Sequence, residues 1–120
     1  MADLSTTAAD LAGAAITGVA AYLSLHTAAP GTSGANEVTG GSYARQSITW
    51  NSWASGSTTS SNGQTFTGMP SEAGNLYIGL WSAASSGTYY WGSASSAVTG
   101  PIPSGGTVTF ASGAVSGTVS

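Results

Sequence analysis

Charged residues are almost missing from this chain of 120 residues. They make up 4% of it, against about 25% in an ordinary soluble domain. One cation cannot make the row of phosphate contacts on which nucleic-acid affinity depends, nor the basic cluster that holds a protein on an anionic membrane. We therefore expect neither nucleic acid nor a membrane as a partner. The charged side chains are Asp3, Asp10, Glu37, Arg45 and Glu72.

Cysteine is absent as well, which excludes a disulfide framework, thiolate chemistry and zinc sites of the cysteine type. This composition is typical of a protein that folds in a reducing cytoplasm. Neither a metal-binding motif nor a phosphate-binding glycine motif occurs, so we predict no metal and no cofactor. The apolar-leaning stretch 11–25 has no positive charge before it and is too short to cross a bilayer, so we predict a soluble protein.

Alanine dominates the start of the chain and predicts a short helix or arm over 5–19. Ser5 or Thr6 is a suitable N-cap, and Asp3 and Asp10 are expected to cap or solvate the helix. Two glycines weaken the helix. We predict an arm over 1–20 and a β-domain over 21–120. The expected apolar face of the helix consists of Leu4, Leu11, Ala15 and Ile16.

From residue 21 onward the apolar residues recur with a period of two, which predicts strands. Leu23 and Leu25 should share one face of the first strand, with Ser24 and His26 on the other. Turn-rich loops are expected over 27–42 and, as a mobile loop or irregular edge, over 51–62. We predict an all-β fold, an antiparallel β-sandwich of the jelly-roll or immunoglobulin-like kind with about seven strands. The predicted strands are 22–26, 43–50, 64–67, 76–81, 88–93, 107–111 and 114–119.

Few residues could carry chemistry. His26 is the lone His, but it closes a strand and no nucleophile elbow is present, which favours a structural role over catalysis. Glu37 and Glu72 are the candidates for a pair of glycosidase acids. Glu37 has a better partner in Arg45, eight residues away across a Gly-Gly turn. We predict a bidentate Glu37–Arg45 ion pair that holds the long loop, and no catalytic residues.

Aromatic residues offer possible contact surfaces. Tyr89 and Trp91 should point to the same side of their strand, and Trp50 and Trp53 flank a polar stretch. Exposed Trp and Tyr side chains are typical of subunit interfaces and also of sugar-binding surfaces. The four residues are therefore candidates for interface or glycan contacts, and the two alternatives stay open.

Several segments resemble a family of small virion proteins of tailed phages that infect actinobacteria, usually called tail fibre proteins. The most specific part joins YLSLHT at 22–27, PGTSGANEV at 30–38 and GGSYARQ at 40–46. Two weaker segments, GLWSAA at 79–84 and TVTFASGA at 107–114, also match. The resemblance extends from about residue 21 to the C-terminus.

The resemblance implies a non-enzymatic structural protein of the virion, assembled in the host bacterial cytoplasm. Its expected partners are copies of itself, with a trimer favoured, and other virion proteins such as the major capsid or tail proteins. A place in a tail fibre or minor tail and a place as a head decoration protein are both open. The alternative function is a receptor-binding module that recognises glycan on the host cell surface.

Overall fold

A computed structural model describes residues 5–118 of the chain. This part contains one helix and eight strands. The helix α1 spans Thr6–Thr17. The strands are β1 (Tyr22–His26), β2 (Gln46–Ser47), β3 (Ser57–Thr59), β4 (Gln64–Met69), β5 (Tyr77–Trp81), β6 (Tyr89–Gly92), β7 (Gly106–Phe110) and β8 (Ser116–Thr118).

All strand pairs are antiparallel. The largest sheet has the order β2-β1-β5-β6, and two smaller sheets pair β3 with β8 and β4 with β7. The prediction of an all-β sandwich with a short N-terminal helix is confirmed, with eight strands where about seven were expected.

The core lies between these sheets. Leu23, Leu25, Phe66, Met69 and Leu76 are fully buried. β4 follows the expected alternation, with Gln64 and Phe66 inward and Thr65 and Thr67 outward. Because apolar residues from both sides meet here, the hydrophobic effect orients the sheets.

The second face of β1 is covered too. Ser24 and His26 are as inaccessible as their apolar neighbours Leu23 and Leu25. Such a strand, buried on both faces, needs hydrogen-bond partners for its polar side chains. The covering layer is the long loop between β1 and β2, residues 27–45, which positions the polar cluster described below.

The helix α1 begins as predicted but faces the domain differently. Ser5 is its N-cap, and its hydroxyl accepts a hydrogen bond from the Ala8 amide at 3.1 Å. The buried positions are Ala9 and Gly13, whereas Leu11 is 70% exposed. The predicted apolar face was therefore wrong at Leu11 and Ala15, which both face outward, and Leu4 lies outside the described residues.

The cause is the indole of Trp53. A Cβ at position 13 would lie within 2.4 Å of its ring carbons, so only glycine permits this approach. The close approach selects the small-residue face of the helix for burial, and the bulky Leu11 is turned away.

Two strand predictions also differ from the structure. The expected strand over 43–50 forms a ladder only at Gln46–Ser47. The expected loop over 51–62 contains β3, which pairs with β8 from the other end of the chain. This long-range pairing, rather than the Ser/Thr-rich local sequence, orders the segment. Residue 119, the end of the last predicted strand, lies outside the described residues, as does Asp3.

Candidate functional site

His26 is held from both sides of its ring. Its Nδ1 lies 2.7 Å from the Ala35 carbonyl oxygen, and its Nε2 lies 2.6 Å from the Ser24 Oγ. A carbonyl oxygen can only accept, so the ring proton is on Nδ1 and Nε2 accepts the Ser24 hydroxyl proton. Burial lowers the pKa of His26, against the opposing effects of the Ala35 hydrogen bond and of Glu37. A neutral, fully engaged ring supports a structural role.

The hydrogen-bond chain continues into β5. The Trp81 Nε1–H donates to the Ser24 Oγ at 2.9 Å, so the Ser24 hydroxyl joins the indole to the imidazole. Gly79 lies opposite Ser24 in the β1–β5 ladder, where a Cβ would lie 2.6 Å from the His26 Nε2. The sheet therefore needs glycine at this position for the chain of three side chains to form.

Glu37 and Arg45 form a bidentate ion pair. Arg45 Nε donates to Glu37 Oε2 and Arg45 Nη2 donates to Glu37 Oε1, both at 2.9 Å. Tyr43 adds a third donor to the carboxylate at 2.8 Å and accepts the Leu25 amide at 2.9 Å. Burial raises the pKa of Glu37, but the hydrogen bonds from Arg45 and Tyr43 outweigh it and the pKa is lowered. The carboxylate is thus ionised at neutral pH.

The third nitrogen of the Arg45 guanidinium, Nη1, also forms hydrogen bonds, and one face of the group contacts an aromatic ring. Arg45 Nη1 donates to the carbonyls of Ala83 at 3.0 Å and Ser86 at 2.8 Å. The guanidinium carbon lies 3.7 Å from the ring centroid of Trp81, a cation–π contact. Since the Arg45 side chain is only 7% exposed, the chain's one cation is not available to a ligand. We call Ser24, His26, Glu37, Arg45 and Trp81, together with Tyr89 described next, the loop clamp.

Tyr89 completes the loop clamp at the outer edge. Its ring meets Trp81 edge-on at a centroid distance of 5.2 Å, and its hydroxyl donates to the Gly31 carbonyl at 3.0 Å. Gly34 fits beneath Trp81, where a Cβ would approach the indole to 2.6 Å. The aromatic pair therefore serves as the surface onto which the loop 27–45 packs.

The two glutamates do not act as a pair. Glu37 is bound to Arg45 and Tyr43, whereas Glu72 exchanges backbone hydrogen bonds with Ile102. Among residues 5–118, no group of three His, Cys, Asp or Glu side chains could hold a metal ion. In the same part of the chain, no helix is long and apolar enough to cross a membrane.

The four candidate contact aromatics occupy different places. Tyr89 belongs to the loop clamp, and Trp91 packs against the core and over Gly117. Trp50 and Trp53 lie next to α1, and Trp53 also lines a small cavity together with Trp91. Trp50 Nε1–H donates to the Ala20 carbonyl at 3.2 Å, and Trp53 Nε1–H donates to the Thr17 Oγ1 at 3.0 Å.

An open cleft of about 650 Å³ lies between α1 and the segment 48–53. We call it the helix cleft. Asp10 lies at its helical wall, where its Oδ1 accepts the Gly56 amide at 2.8 Å and so ties α1 to the turn that precedes β3. Its lining residues are Thr7, Asp10, Leu11, Ala14, Thr17, Gly18, Ala21, Ile48, Thr49, Trp50, Asn51, Ser52 and Trp53.

Sequence reasoning missed three participants in these sites. Tyr43 and Trp81 were not connected with the Glu37–Arg45 pair, and Asp10 was assigned to the helix end rather than to Gly56. One usable signal was present: Ser24 and His26 fall on the same face of β1 at a spacing of two. Two polar residues on one strand face indicate either that the face is exposed to solvent or that a loop covers it and supplies hydrogen-bond partners.

Comparison with known proteins gives one family. Residues 6–118 match the model of a family described as "Podophage GP4 fiber I protein gp80". Neither a curated protein nor a solved structure matches the chain. Because the match spans nearly the whole sequence, the chain belongs to this family of phage fibre proteins; an origin among phages of actinobacteria stays a prediction.

Proposed function

We propose that this member of a phage fibre family is a structural subunit of the virion that works by assembling with copies of itself and with other virion proteins. The observation that carries the proposal is the family match over residues 6–118. The description of the family as a fibre protein favours a fibre over a head decoration. The subunit would be made in the host bacterial cytoplasm and function as a homotrimer, with residues 1–20 as the assembly arm of the domain 21–120.

The charge distribution supports assembly. A formal net charge of −3 leaves little of the long-range repulsion that keeps copies of a protein apart. The one cation is consumed inside the loop clamp. Contacts between subunits would therefore be made by hydroxyls, backbone and apolar side chains.

One flank of α1 offers such an apolar surface. Ala12 and Ala15 lie about 60° apart around α1. Both are exposed, as is Val19 just beyond the end of the helix. Val19 retains 45% of its accessible surface. None of these three residues lines the helix cleft, so a neighbouring subunit could cover them and leave the cleft open.

The same residues support a function without catalysis. Each nitrogen of His26 is bound to a protein atom, so a substrate would have to displace Ser24 or Ala35 to reach the ring. Glu37, the other group with a shifted pKa in this region, is neutralised by Arg45. We therefore assign both residues to holding the loop 27–45.

Electron microscopy of intact particles tests the proposal. Antibody or gold label bound to the protein should mark fibres, with a copy number that is a small multiple of the symmetry of the tail or of a capsid vertex. Label spread over the whole capsid in hundreds of copies would instead assign a head decoration role. Label absent from the particles would contradict a structural function.

The oligomeric state is tested separately by light scattering on the purified protein. We expect the mass of a trimer. Val19→Asp should shift the mass toward the monomer because it places a charge on the apolar flank, while Thr99→Asp, on an exposed loop, should leave the mass unchanged. A monomer in the unaltered protein at high concentration would contradict self-assembly.

A further inference from the structure

The helix cleft is a concave surface of the described chain that the loop clamp does not fill. Its volume of about 650 Å³ falls within the range of small-ligand sites. Its helical wall includes Asp10, Ala14 and Thr17, which project from the side of α1 opposite to Ala12. A small ligand could thus reach it in an assembled fibre.

Two indoles in this cleft are held in position. The Trp50 Nε1–H is bound to Ala20 and the Trp53 Nε1–H is bound to Thr17. Trp53 is also packed over Gly13. Because both N–H groups are satisfied inside the protein, the rings present carbon surface to the cleft. Rings fixed in this way bind with little loss of side-chain entropy.

Polar groups alternate with this carbon surface. The cleft carries the hydroxyls of Thr7, Thr49 and Ser52, the amide of Asn51 and the carboxylate of Asp10. Thr49, Asn51 and Asp10 also hydrogen-bond within the protein. A purely apolar ligand would still remove water from the polar surface of the cleft, which is unfavourable. The lining therefore suits a ligand with both C–H faces and hydroxyl groups.

The charge of the helix cleft restricts the class of ligand further. The chain has one cation, and it lies in the loop clamp, bound to Glu37 and stacked on Trp81. The helix cleft itself contains an acid, Asp10, and no cation. An anionic ligand would meet repulsion with nothing to offset it.

We propose that the helix cleft binds a neutral saccharide, with Trp50 and Trp53 against the apolar faces of the sugar and the surrounding hydroxyl, amide and carboxylate groups as hydrogen-bond partners. Pyranose rings combine C–H faces with equatorial hydroxyls, the two features that this lining accommodates. The proposal goes beyond the structural role, since a fibre subunit could assemble without binding sugar.

The test is a titration of the full-length protein with cellobiose, maltotriose and chitotriose, and with a hyaluronan tetrasaccharide as the anionic comparison. Indole fluorescence and saturation-transfer NMR would report binding. We expect at least one neutral sugar to bind saturably at about millimolar concentration, and the anionic sugar not to bind.

Matched variants locate the site. Ser52→Phe places a bulky side chain in the cleft, and Ser95→Phe makes the same change on an exposed loop outside it. We expect the first to weaken sugar binding about tenfold or more and the second to leave it unchanged. Circular dichroism of both variants would verify that they fold.

Three results would overturn the proposal: no sugar binds, the two variants lose binding equally, or only the anionic sugar binds. If a second copy of the chain covers the cleft, no sugar binds and the indole fluorescence changes with protein concentration, which also overturns it. None of these results bears on the location of the protein in the particle, so this proposal and the structural function fail separately.

Discussion

Two regions of this molecule, called here the clamp side and the helix side, hold a covering segment onto the sheets in different ways. The loop 27–45 is fixed by the loop clamp, where an ion pair, a cation–π contact and a buried imidazole converge. The helix α1 is fixed by close approach of small residues to Trp53 and by a few hydrogen bonds, including Asp10 to Gly56. Among residues 5–118, the ion pair Glu37–Arg45 therefore belongs to the clamp side.

This difference makes the clamp side rigid and leaves the helix side available to partners. A bidentate, largely buried ion pair leaves no donor for a ligand, so the clamp side is a structural unit. The helix side retains an open cleft, an exposed Leu11 and an exposed Val19. The helix side, which uses fewer polar groups for its own packing, is therefore the surface available for partners.

Removing the cation should have the largest effect. Arg45→Ala leaves Glu37 partly buried without its partner, and such changes cost about 3–5 kcal/mol. We expect a loss near the lower end, because Glu37 keeps the Tyr43 hydrogen bond. Urea denaturation would measure the free energy of unfolding.

Glu72→Gln is the control for this change, since Glu72 uses its backbone to pair with Ile102. It should alter the free energy of unfolding by no more than about 0.5 kcal/mol. An equal loss in the free energy of unfolding for Arg45→Ala and Glu72→Gln would contradict the conclusion that the ion pair holds the clamp side.

A pair of glycines compares the two sides directly. Gly34 lies under Trp81 with φ of +74°, and Gly13 lies under Trp53 within the helix. Gly34→Ala combines overpacking of about 1–3 kcal/mol with a left-handed backbone that costs alanine about 1–2 kcal/mol. Gly13→Ala meets the same overpacking but regains about 1 kcal/mol of helix propensity.

Gly34→Ala should therefore destabilise the protein more than Gly13→Ala, as measured by urea denaturation of both variants side by side. Near-ultraviolet circular dichroism would show which indole environment changes. The reverse order would mean that the helix side is packed more tightly than the loop side.

Acid should weaken the clamp side through His26. Its pKa is lowered in the folded protein, so below the ordinary value of 6.5 the unfolded chain binds more protons than the folded one. Stability is thus fully present above that pH and is lost as the pH falls through it. We expect a lower Tm at pH 5.5 than at pH 7.5.

His26→Gln tests the origin of this pH dependence. The variant is less stable at both pH values, because it breaks the contacts to Ser24 and Ala35, but its Tm should no longer fall over this interval. Glu37 stays ionised in this range, because its pKa is lowered as well, and its contribution is lost only at more acidic pH. An unchanged pH dependence in His26→Gln would exclude His26 as its source.

The smallest effect is expected on the helix side. Leu11→Gln changes a side chain that is 70% exposed, so the free energy of unfolding should shift by no more than about 0.5 kcal/mol. Leu25→Ala, in the core, is the matched comparison and should cost about 2–5 kcal/mol. A large loss in Leu11→Gln would mean that Leu11 is buried in an assembled form of the protein.

Local chemistry made part of this structure predictable. Ser5 begins α1 because a hydroxyl satisfies a free amide at the helix start, and alternation placed Leu23 and Leu25 on the core face. The Glu37–Arg45 contact could be inferred because a chain with one cation offers few ion pairs, and a Gly-Gly turn brings these two residues near each other. Each of these inferences depends on residues close in sequence.

Other features depended on residues far apart in the chain. The outward position of Leu11 follows from Trp53, and the strand β3 follows from its pairing with β8. Trp81 joined the clamp only because β5 pairs with β1. Local propensity carries no information about such partners, and a Ser/Thr-rich segment is compatible with both loop and strand.

The sequence by itself determined that this is a charge-poor β-sandwich protein without cysteine, since composition and a period of two require only counting and alternation. The family match over residues 6–118 also depends on the sequence alone. Only the tertiary structure decided that the lone cation is consumed inside the molecule while two indoles line an open cleft. The physical reason is that burial and charge pairing are properties of neighbours in space, which the order of residues along the chain does not specify.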